Sequence, residues 1–156
     1  PLIRVMPNVA ATVRQSMTAL TATRTTDDQV NAVRDLMNSV GRTVLIDEDY
    51  FPVFQALASC SPAWYFQIID SFARAGLKYG LSKDSAVEIA AQAMAGSAAL
   101  LLSEREAGTI PAQLIDRVTS PGGTTIAGLL AAEEGGLSSA LVGAVDASIH
   151  ADSHLG

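Results

Sequence analysis

Two adjacent glycines followed by two threonines, in the run Gly122-Gly123-Thr124-Thr125, require this chain to turn and then to start a helix. Glycine adopts positive φ readily and lets the backbone approach a ligand closely, because it has no Cβ. The apolar run that follows, to about Glu134, predicts a helix for which one threonine is a natural N-cap. The first N–H groups of a helix lack partners within it, so together with the helix dipole they favour a small anion such as a carboxylate. A capped turn that binds nothing is the alternative interpretation.

The first 50 residues carry the pattern of a small α/β domain. Three short segments are apolar and β-branched enough to predict strands: Leu2–Met6, Met17–Thr21 and Thr43–Ile46. Between the second and third strands, Thr26 opens an amphipathic helix, which Gly41 is expected to close. We therefore assign residues 1–50 to one domain.

From Tyr50 onward the apolar residues recur at helical spacing, and we predict no strand. The expected helices cover 51–57, 62–79, 83–103, 111–118, 124–134 and 137–150, with a break at Ala58–Pro62 and a cap at Ser82. Apolar residues lie on more than one face of these helices, so a chain of this size cannot cover them all by itself. The predicted fold class is therefore mainly α, with a helical domain at residues 51–156 and a partner chain.

Composition limits the class of partner. The chain has 10 basic and 16 acidic residues and a net charge of −6, and the scattered basic residues argue against nucleic acid. The longest apolar run, Ala86–Leu102, is interrupted by Glu88 and Gln92, so we interpret it as a packed helix and not as a membrane span. A single cysteine, Cys60, excludes an internal disulfide and favours a reducing compartment, the cytoplasm.

No metal site is predicted. Three successive carboxylates at residues 47–49 point in different directions, and a solvated turn explains them better than a bound cation does. His150 and His154 are spaced to share one face of a helix, but the sequence offers no third ligand beside them.

The run Ser120–Leu129 resembles the signature loop of the pyrroline-5-carboxylate reductases, which reduce 1-pyrroline-5-carboxylate to proline with NAD(P)H. Three other segments resemble this family, in the family's order along the chain: Arg4–Asn8, similar to its strand beside the nicotinamide, Ala73–Leu81, similar to its central helix, and Gln92–Gly96, similar to the next helix. One segment departs from it. Where the family usually has Ser-Gly-Ser-Gly-Pro-Ala-Tyr, this chain has Ala58–Trp64, with Ser59 and Ser61 in place of the two glycines. If either position needed positive φ, serine would cost about 1 kcal/mol or more and the loop would change shape.

The resemblance implies a helical dimerisation and substrate-binding domain, like the C-terminal domain of 6-phosphogluconate dehydrogenase, preceded by the α/β remnant of a Rossmann domain. The family's Gly-x-Gly-x-x-Gly turn for the dinucleotide does not occur in this sequence. We therefore expect the C-terminal part of a longer enzyme of proline biosynthesis that uses NADPH or NADH, with this part alone inactive and free of cofactor. A non-catalytic helical oligomerisation module is the alternative.

The resemblance also implies roles for the residues of the glycine-rich run. The substrate, a small imino acid, would be bound by Ser120, Gly122, Gly123, Thr124 and Thr125, with the N–H groups of Gly123 and Thr124 on its carboxylate. Thr125 would be catalytic, because its hydroxyl would hydrogen-bond to the ring nitrogen that receives the proton. Water or Glu104 would supply that proton.

On the cofactor side, the resemblance implies that Met6, Pro7 and Asn8 bind the nicotinamide end of NAD(P)H, with Asn8 facing the nicotinamide amide. An ordinary turn after Pro7 is the alternative interpretation of that asparagine. The family's helical domains interlock in pairs, so the resemblance further implies a homodimer or a higher homo-oligomer with the active site at the subunit interface.

Overall fold

The computed structural model describes residues 1–154 and contains two compact units. One unit consists of Pro1–Trp64 and the C-terminal segment that begins at Val142, and the other consists of Tyr65–Leu141. The domain boundary predicted between residues 50 and 51 stays a prediction.

A three-stranded sheet forms the centre of the first unit. Its strands, in spatial order, are β1 (Leu2–Met6), β2 (Ser16–Thr23) and β3 (Gly41–Leu45). Strand β2 pairs antiparallel with β1 and parallel with β3, and helix α1 (Asp27–Asn38) makes the crossover that a parallel pair requires. A capping box between Thr26 and Gln29 starts this helix. The three predicted strands and the predicted helix start are confirmed.

Gly41 has a different role from the predicted one. Helix α1 ends at Asn38, and Gly41 opens β3 directly opposite Ser16. A Cβ on Gly41 would lie 2.1 Å from the carbonyl oxygen of Ser16, so a side chain there would push the two strands apart. The glycine is therefore required by strand pairing and not by the end of the helix.

The core of the first unit joins the sheet to the helical segment that follows it. Four buried residues form it, Ala19, Phe51, Phe54 and Ala58, and four partly buried ones pack against them, Met6, Met17, Val44 and Ile46. Burying a side chain as large as Phe51 contributes about 1.5–3 kcal/mol. The end of β1, at Met6, thus packs against a cluster that also contains residues more than 40 positions later in the chain.

Residues 51–154 contain helices and no strand, as predicted. These helices are α2 (Phe51–Phe54), a π-helical turn (Gln55–Cys60, the π turn), α3 (Ser61–Lys78), α4 (Lys83–Glu104), α5 (Pro111–Val118), α6 (Thr124–Glu134) and α7 (Leu137–Asp152). Ser82 caps α4, because its Oγ accepts the N–H of Ser85 at 3.2 Å, which confirms the predicted cap.

The break predicted at Ala58–Pro62 is wrong, because the backbone stays helical from α2 through the π turn into α3. The helix widens there, and the N–H of Ser61 bonds to the carbonyl of Ala56, five residues back instead of four. Ser61 has φ −57°, and among residues 1–154 the only non-glycine residues with positive φ are Arg14 and Arg24. The serines that replace the family's glycines are therefore unstrained.

The helices of the second unit leave much apolar surface uncovered. Phe66, Phe72 and Ile89 are 65%, 63% and 58% exposed. Helices α3 and α4 approach closely at Gly76, where a Cβ would lie 2.9 Å from that of Ala86, and they border an apolar groove of about 470 Å³. The segment Lys83–Ala107 is long and apolar enough to cross a membrane by length and composition, and only 6% of its most apolar window is buried within the chain. The described part of the chain thus leaves this apolar surface exposed.

Candidate functional site

A tight turn, Ser120–Gly123, connects α5 to α6, and we call it the Gly-Gly loop. The N–H of Gly123 donates to the carbonyl oxygen of Ser120 at 3.0 Å. Pro121 occupies the second position of the turn, and Gly122 occupies the third with φ 66°, which is the pattern of a type II turn. Apart from the two adjoining residues, no atom of the described chain lies within 4 Å of where a Cβ of Gly122 would be. Gly122 is therefore required for its backbone conformation and not for space.

Gly123 is required for space. Its φ of −77° suits any residue, but a Cβ there would lie 2.4 Å from Ser120 Oγ and 3.1 Å from the carbonyl oxygen of Ser120. A side chain at position 123 would require the Ser120 hydroxyl to rotate away and the Ser120 carbonyl to shift slightly.

Gly123 is also the N-cap of α6, so the prediction that a threonine caps this helix is wrong. The turn places Gly123 in an extended conformation, and its carbonyl accepts the N–H of Ala127 at 3.3 Å. No side chain among residues 1–154 caps the helix. Thr124 and Thr125 become the first two residues of α6. Both residues are exposed, and neither hydroxyl caps the helix.

Three N–H groups at the start of α6 remain available to a ligand. The N–H groups of Thr124, Thr125 and Ile126 precede the first intrahelical donor, and no acceptor meets them in the described part of the chain. Of the two N–H groups predicted to hold a carboxylate, that of Thr124 is available, whereas that of Gly123 closes the turn. The positive end of the helix dipole lies at the same point, so the arrangement suits a small anion.

An ion pair ties the segment before this loop to the end of α4. Arg117 Nη1 lies 2.9 and 2.7 Å from the two carboxylate oxygens of Glu104, and Thr109 Oγ1 donates to the same carboxylate at 3.2 Å. The hydrogen bond from Arg117 is the main cause of the lowered pKa of Glu104. Glu104 is therefore ionised at neutral pH, which argues against the suggestion that it supplies a proton.

The predicted cofactor-side residues lie together at the end of β1, in the first unit. Met6 packs against the core and Pro7 is exposed. The Asn8 amide is held at both ends by the protein: Oδ1 accepts the N–H of Ala10 at 3.2 Å, and Nδ2 donates to the carbonyl of Ala58 at 2.8 Å. One N–H of the Asn8 amide is thus left for a ligand. The predicted substrate-side residues lie together in the second unit.

The contacts of Asn8 and of Arg117 are not among those predicted from the sequence. Pro62 carries a signal for the first, because a proline leaves the carbonyl four residues earlier, that of Ala58, without its helical donor. The identity of the donor that replaces it depends on the tertiary fold. For Arg117 the sequence shows only a basic residue near the end of a helix, which is common.

In residues 1–154 no three side chains of the metal-binding types come together. The two histidines near the end of α7 contact each other, with their ring centroids 4.4 Å apart and His154 Nδ1 lying 2.7 Å from the carbonyl oxygen of His150. The acidic run at residues 47–49 lies at a short 3-10 turn, Glu48–Tyr50, where Glu48 pairs with Arg4.

Comparison with known proteins identifies the family. A family model described as pyrroline-5-carboxylate reductase dimerisation matches residues 48–155. The chain belongs to this family. The pyrroline-5-carboxylate reductase of Treponema pallidum is 37% identical over 148 residues, which cover 94% of this chain and 55% of that protein. The predicted family and fold class are thereby confirmed.

Solved structures of pyrroline-5-carboxylate reductases agree with this fold. The enzyme from Streptococcus pyogenes matches with a TM-score of 0.86 at 41% identity, over 96% of this chain and 57% of that one. The Plasmodium falciparum enzyme, crystallised with NADP bound, matches with a TM-score of 0.87 at 27% identity, over 100% and 63% of the two chains. The chain spans a little over half the length of its Treponema and Streptococcus relatives.

Proposed function

We propose that this chain forms the dimerisation and substrate-binding part of a pyrroline-5-carboxylate reductase, which reduces 1-pyrroline-5-carboxylate to L-proline in the cytoplasm. The proposal rests on the start of α6, where three N–H groups that meet no acceptor among residues 1–154 follow a turn that uses Gly122 for its conformation and Gly123 for its small size. The substrate carries one carboxylate, and such a group of N–H donors suits it. Membership of the reductase dimerisation family supports the same assignment.

In this proposal the residues of the chain bind and orient the substrate, and the nicotinamide of NADPH or NADH supplies the hydride. The N–H groups of Thr124, Thr125 and Ile126 hold the carboxylate, and the exposed hydroxyl of Thr125 hydrogen-bonds to the ring nitrogen. An aliphatic hydroxyl is a poor acid, and Glu104 is ionised, so the proton comes from water.

The chain has candidate binding residues for only one end of a dinucleotide. Met6, Pro7 and Asn8 would lie at the nicotinamide, whereas the sequence has no Gly-x-Gly-x-x-Gly turn for the pyrophosphate. We therefore expect the 156-residue chain by itself to bind NADPH weakly and to reduce no substrate. Micromolar affinity for NADPH in calorimetry of this chain would contradict that expectation.

We further propose that a second copy of the chain covers the apolar groove between α3 and α4, so that α4 packs in a homo-oligomer and not in a membrane. A groove of about 470 Å³, bordered by residues as exposed as Ile89, agrees with a family described by its dimerisation. Helices that are apolar on several faces become stable in water by packing against one another.

The test is turnover by the complete protein that contains these residues. Oxidation of NADPH or NADH that depends on 1-pyrroline-5-carboxylate, with L-proline as the product, is the expected result. A complete protein that forms dimers and oxidises neither cofactor would leave the alternative, an oligomerisation module without turnover.

A further inference from the structure

The side chain of Asn8 joins two segments that lie 50 positions apart in the sequence. Its Nδ2 donates to the carbonyl of Ala58 at 2.8 Å, and its Oδ1 accepts the N–H of Ala10 at 3.2 Å. Its backbone N–H donates to Ser16 Oγ at 3.2 Å. Ser16 and Ala58 are buried, so these hydrogen bonds fix the end of β1 against the inside of the unit.

The π turn bonds five residues back, as from Ser61 to Ala56, and within it the carbonyl of Ala58 receives the Asn8 side chain. In an α-helix the partner of this carbonyl would be the N–H four residues later, and proline has none. The neighbouring carbonyl, that of Leu57, meets the hydroxyl of Ser61 at 2.6 Å. Two consecutive carbonyls before the proline are thus satisfied by side chains, and the donor for Ala58 comes from a different segment of the chain.

The π turn and the end of β1 also share the core of the first unit. Ala58 is one of its buried residues, and Met6 packs against it. Protein interiors are close-packed, so a shift of the π turn is transmitted to Met6 and to Pro7 beside it. These are two of the residues assigned above to the nicotinamide end of the cofactor.

We propose that Asn8 is a positioning residue for the reduction, which acts through the carbonyl of Ala58 and not by touching the nicotinamide. This inference rests on the proposed function. The oxygen of the Asn8 amide already accepts the N–H of Ala10 and one amide N–H is committed to Ala58, so only the second amide N–H stays open to a ligand. What Asn8 contributes is a fixed position of Met6 and Pro7 relative to the π turn.

A replacement donor at position 62 tests this in the complete reductase. Asn8→Asp keeps the acceptor for Ala10 and places an oxygen opposite the carbonyl of Ala58. Pro62→Ala creates a backbone N–H that can serve Ala58 in its place. We expect Asn8→Asp to lower kcat about tenfold or more with the KM for NADPH within about twofold, and Pro62→Ala alone to keep kcat within about twofold. The double variant should regain most of the lost kcat.

If Asn8 instead acts by contacting the cofactor directly, the double variant should not regain its kcat. An Asn8→Asp, Pro62→Ala double variant that is as slow as Asn8→Asp, with a raised KM for NADPH, would overturn the proposal, because a donor at position 62 cannot replace a contact made to the cofactor. If Asn8→Asp does not fold, Asn8→Ser takes its place in the same set, since serine still caps the next turn but is too short to reach Ala58.

Failure of the proposed function is recognised separately. If the complete wild-type protein reduces no substrate, thermal unfolding of the 156-residue chain measures the contact by itself. Asn8→Asp should then lower the melting temperature, and adding Pro62→Ala should restore most of the loss. A double variant that melts as early as Asn8→Asp would show that Ala58 does not depend on Asn8, and the proposal would be abandoned.

Discussion

The guanidinium of Arg117 lies 2.7 Å from the carboxylate of Glu104, and this ion pair ties the end of α4 to the last turn of α5. The Gly-Gly loop begins three residues after Arg117. The position of the loop relative to α4 therefore depends on an ion pair, and the pKa of its carboxyl group, that of Glu104, is lowered. The pKa of the Glu104 carboxyl in this pair can be measured directly.

The first prediction concerns the pKa of Glu104. Because the hydrogen bond from Arg117 is the largest cause of its lowering, Arg117→Gln should raise the pKa of the Glu104 carboxyl toward its ordinary value in an NMR titration. Arg74→Gln is the matched control, since Arg74 forms an exposed ion pair of similar length with Asp70, at 2.6 Å. It should leave the titration of Glu104 unchanged. An unmoved Glu104 in Arg117→Gln would mean that the pair does not persist in solution.

The sign of the pH effect follows from the direction of this shift. A carboxyl whose pKa is lower in the folded than in the unfolded state contributes stability above the unfolded pKa, and that contribution is lost as the pH falls through the folded pKa. Wild type should therefore lose more stability on acidification below about pH 4.3 than Arg117→Gln does. Chemical unfolding at neutral and acidic pH, compared between the two proteins, measures the difference.

The second prediction separates the two glycines of the Gly-Gly loop. Gly122→Ala should cost about 1–2 kcal/mol, because its φ of 66° is left-handed, and Gly122→Asn should cost less, since asparagine tolerates that conformation. Gly123→Ala should also destabilise, but through its contact with Ser120 Oγ. Adding Ser120→Ala should therefore recover part of the loss at position 123 and none of it at position 122. Equal recovery of stability at both positions would contradict this difference between the two glycines.

The elements that the sequence predicted correctly are those with local signals. Pro111 opens α5 as its first residue, and Ser82 caps α4 by bonding to an N–H three positions away, so a short window of sequence contains the cause of each. The π turn and the role of Gly41 depend instead on partners that are distant in the sequence. The carbonyl of Ala58 is satisfied by Asn8, and Gly41 lies opposite Ser16 across the sheet. Neither relationship follows from a local pattern.

The candidate site also contains both features with local sequence signals and features that depend on distant residues. The turn, its two glycines and the helix that follows were predictable, but the N-cap moved from a threonine to Gly123 because the hydrogen bond that closes the turn sets where the helix starts. The pairing of Glu104 with Arg117 was not predictable, since it depends on the path of the residues between α4 and α5.

The third prediction concerns the apolar groove between α3 and α4. We expect light scattering to show a dimer or a larger assembly of the 156-residue chain at micromolar concentration, and Ile89→Asp to shift it to monomer. Burying an isoleucine contributes about 1.5–3 kcal/mol and burying an unpaired carboxylate is unfavourable, so the dissociation constant should rise at least about tenfold. Leu36→Asp is the control, because Leu36 is similarly exposed, at 63%, but lies on α1. A dimer that survives Ile89→Asp would place the interface elsewhere.

The last prediction concerns Thr125 in the complete reductase. Its hydroxyl is exposed and caps nothing, so removing it should leave the melting temperature nearly unchanged. If the hydroxyl bonds to the ring nitrogen as the hydride arrives, Thr125→Ala loses an interaction that strengthens in the transition state, and kcat should fall with a smaller change in KM. A hydrogen bond near developing charge is worth about 1.5–3 kcal/mol, or roughly ten- to a hundredfold in rate.

Two further variants of Thr125 separate its hydroxyl from its shape. Thr125→Ser keeps the hydroxyl without the methyl group and should retain most of the activity, whereas Thr125→Val keeps the shape without the hydroxyl and should be as slow as Thr125→Ala. Steady-state kinetics beside melting temperatures measures all three. If Thr125→Val turned over at the wild-type rate, the hydroxyl would have no part in the reaction, and the contribution of this loop would be limited to the N–H groups at the start of α6 that we propose hold the carboxylate.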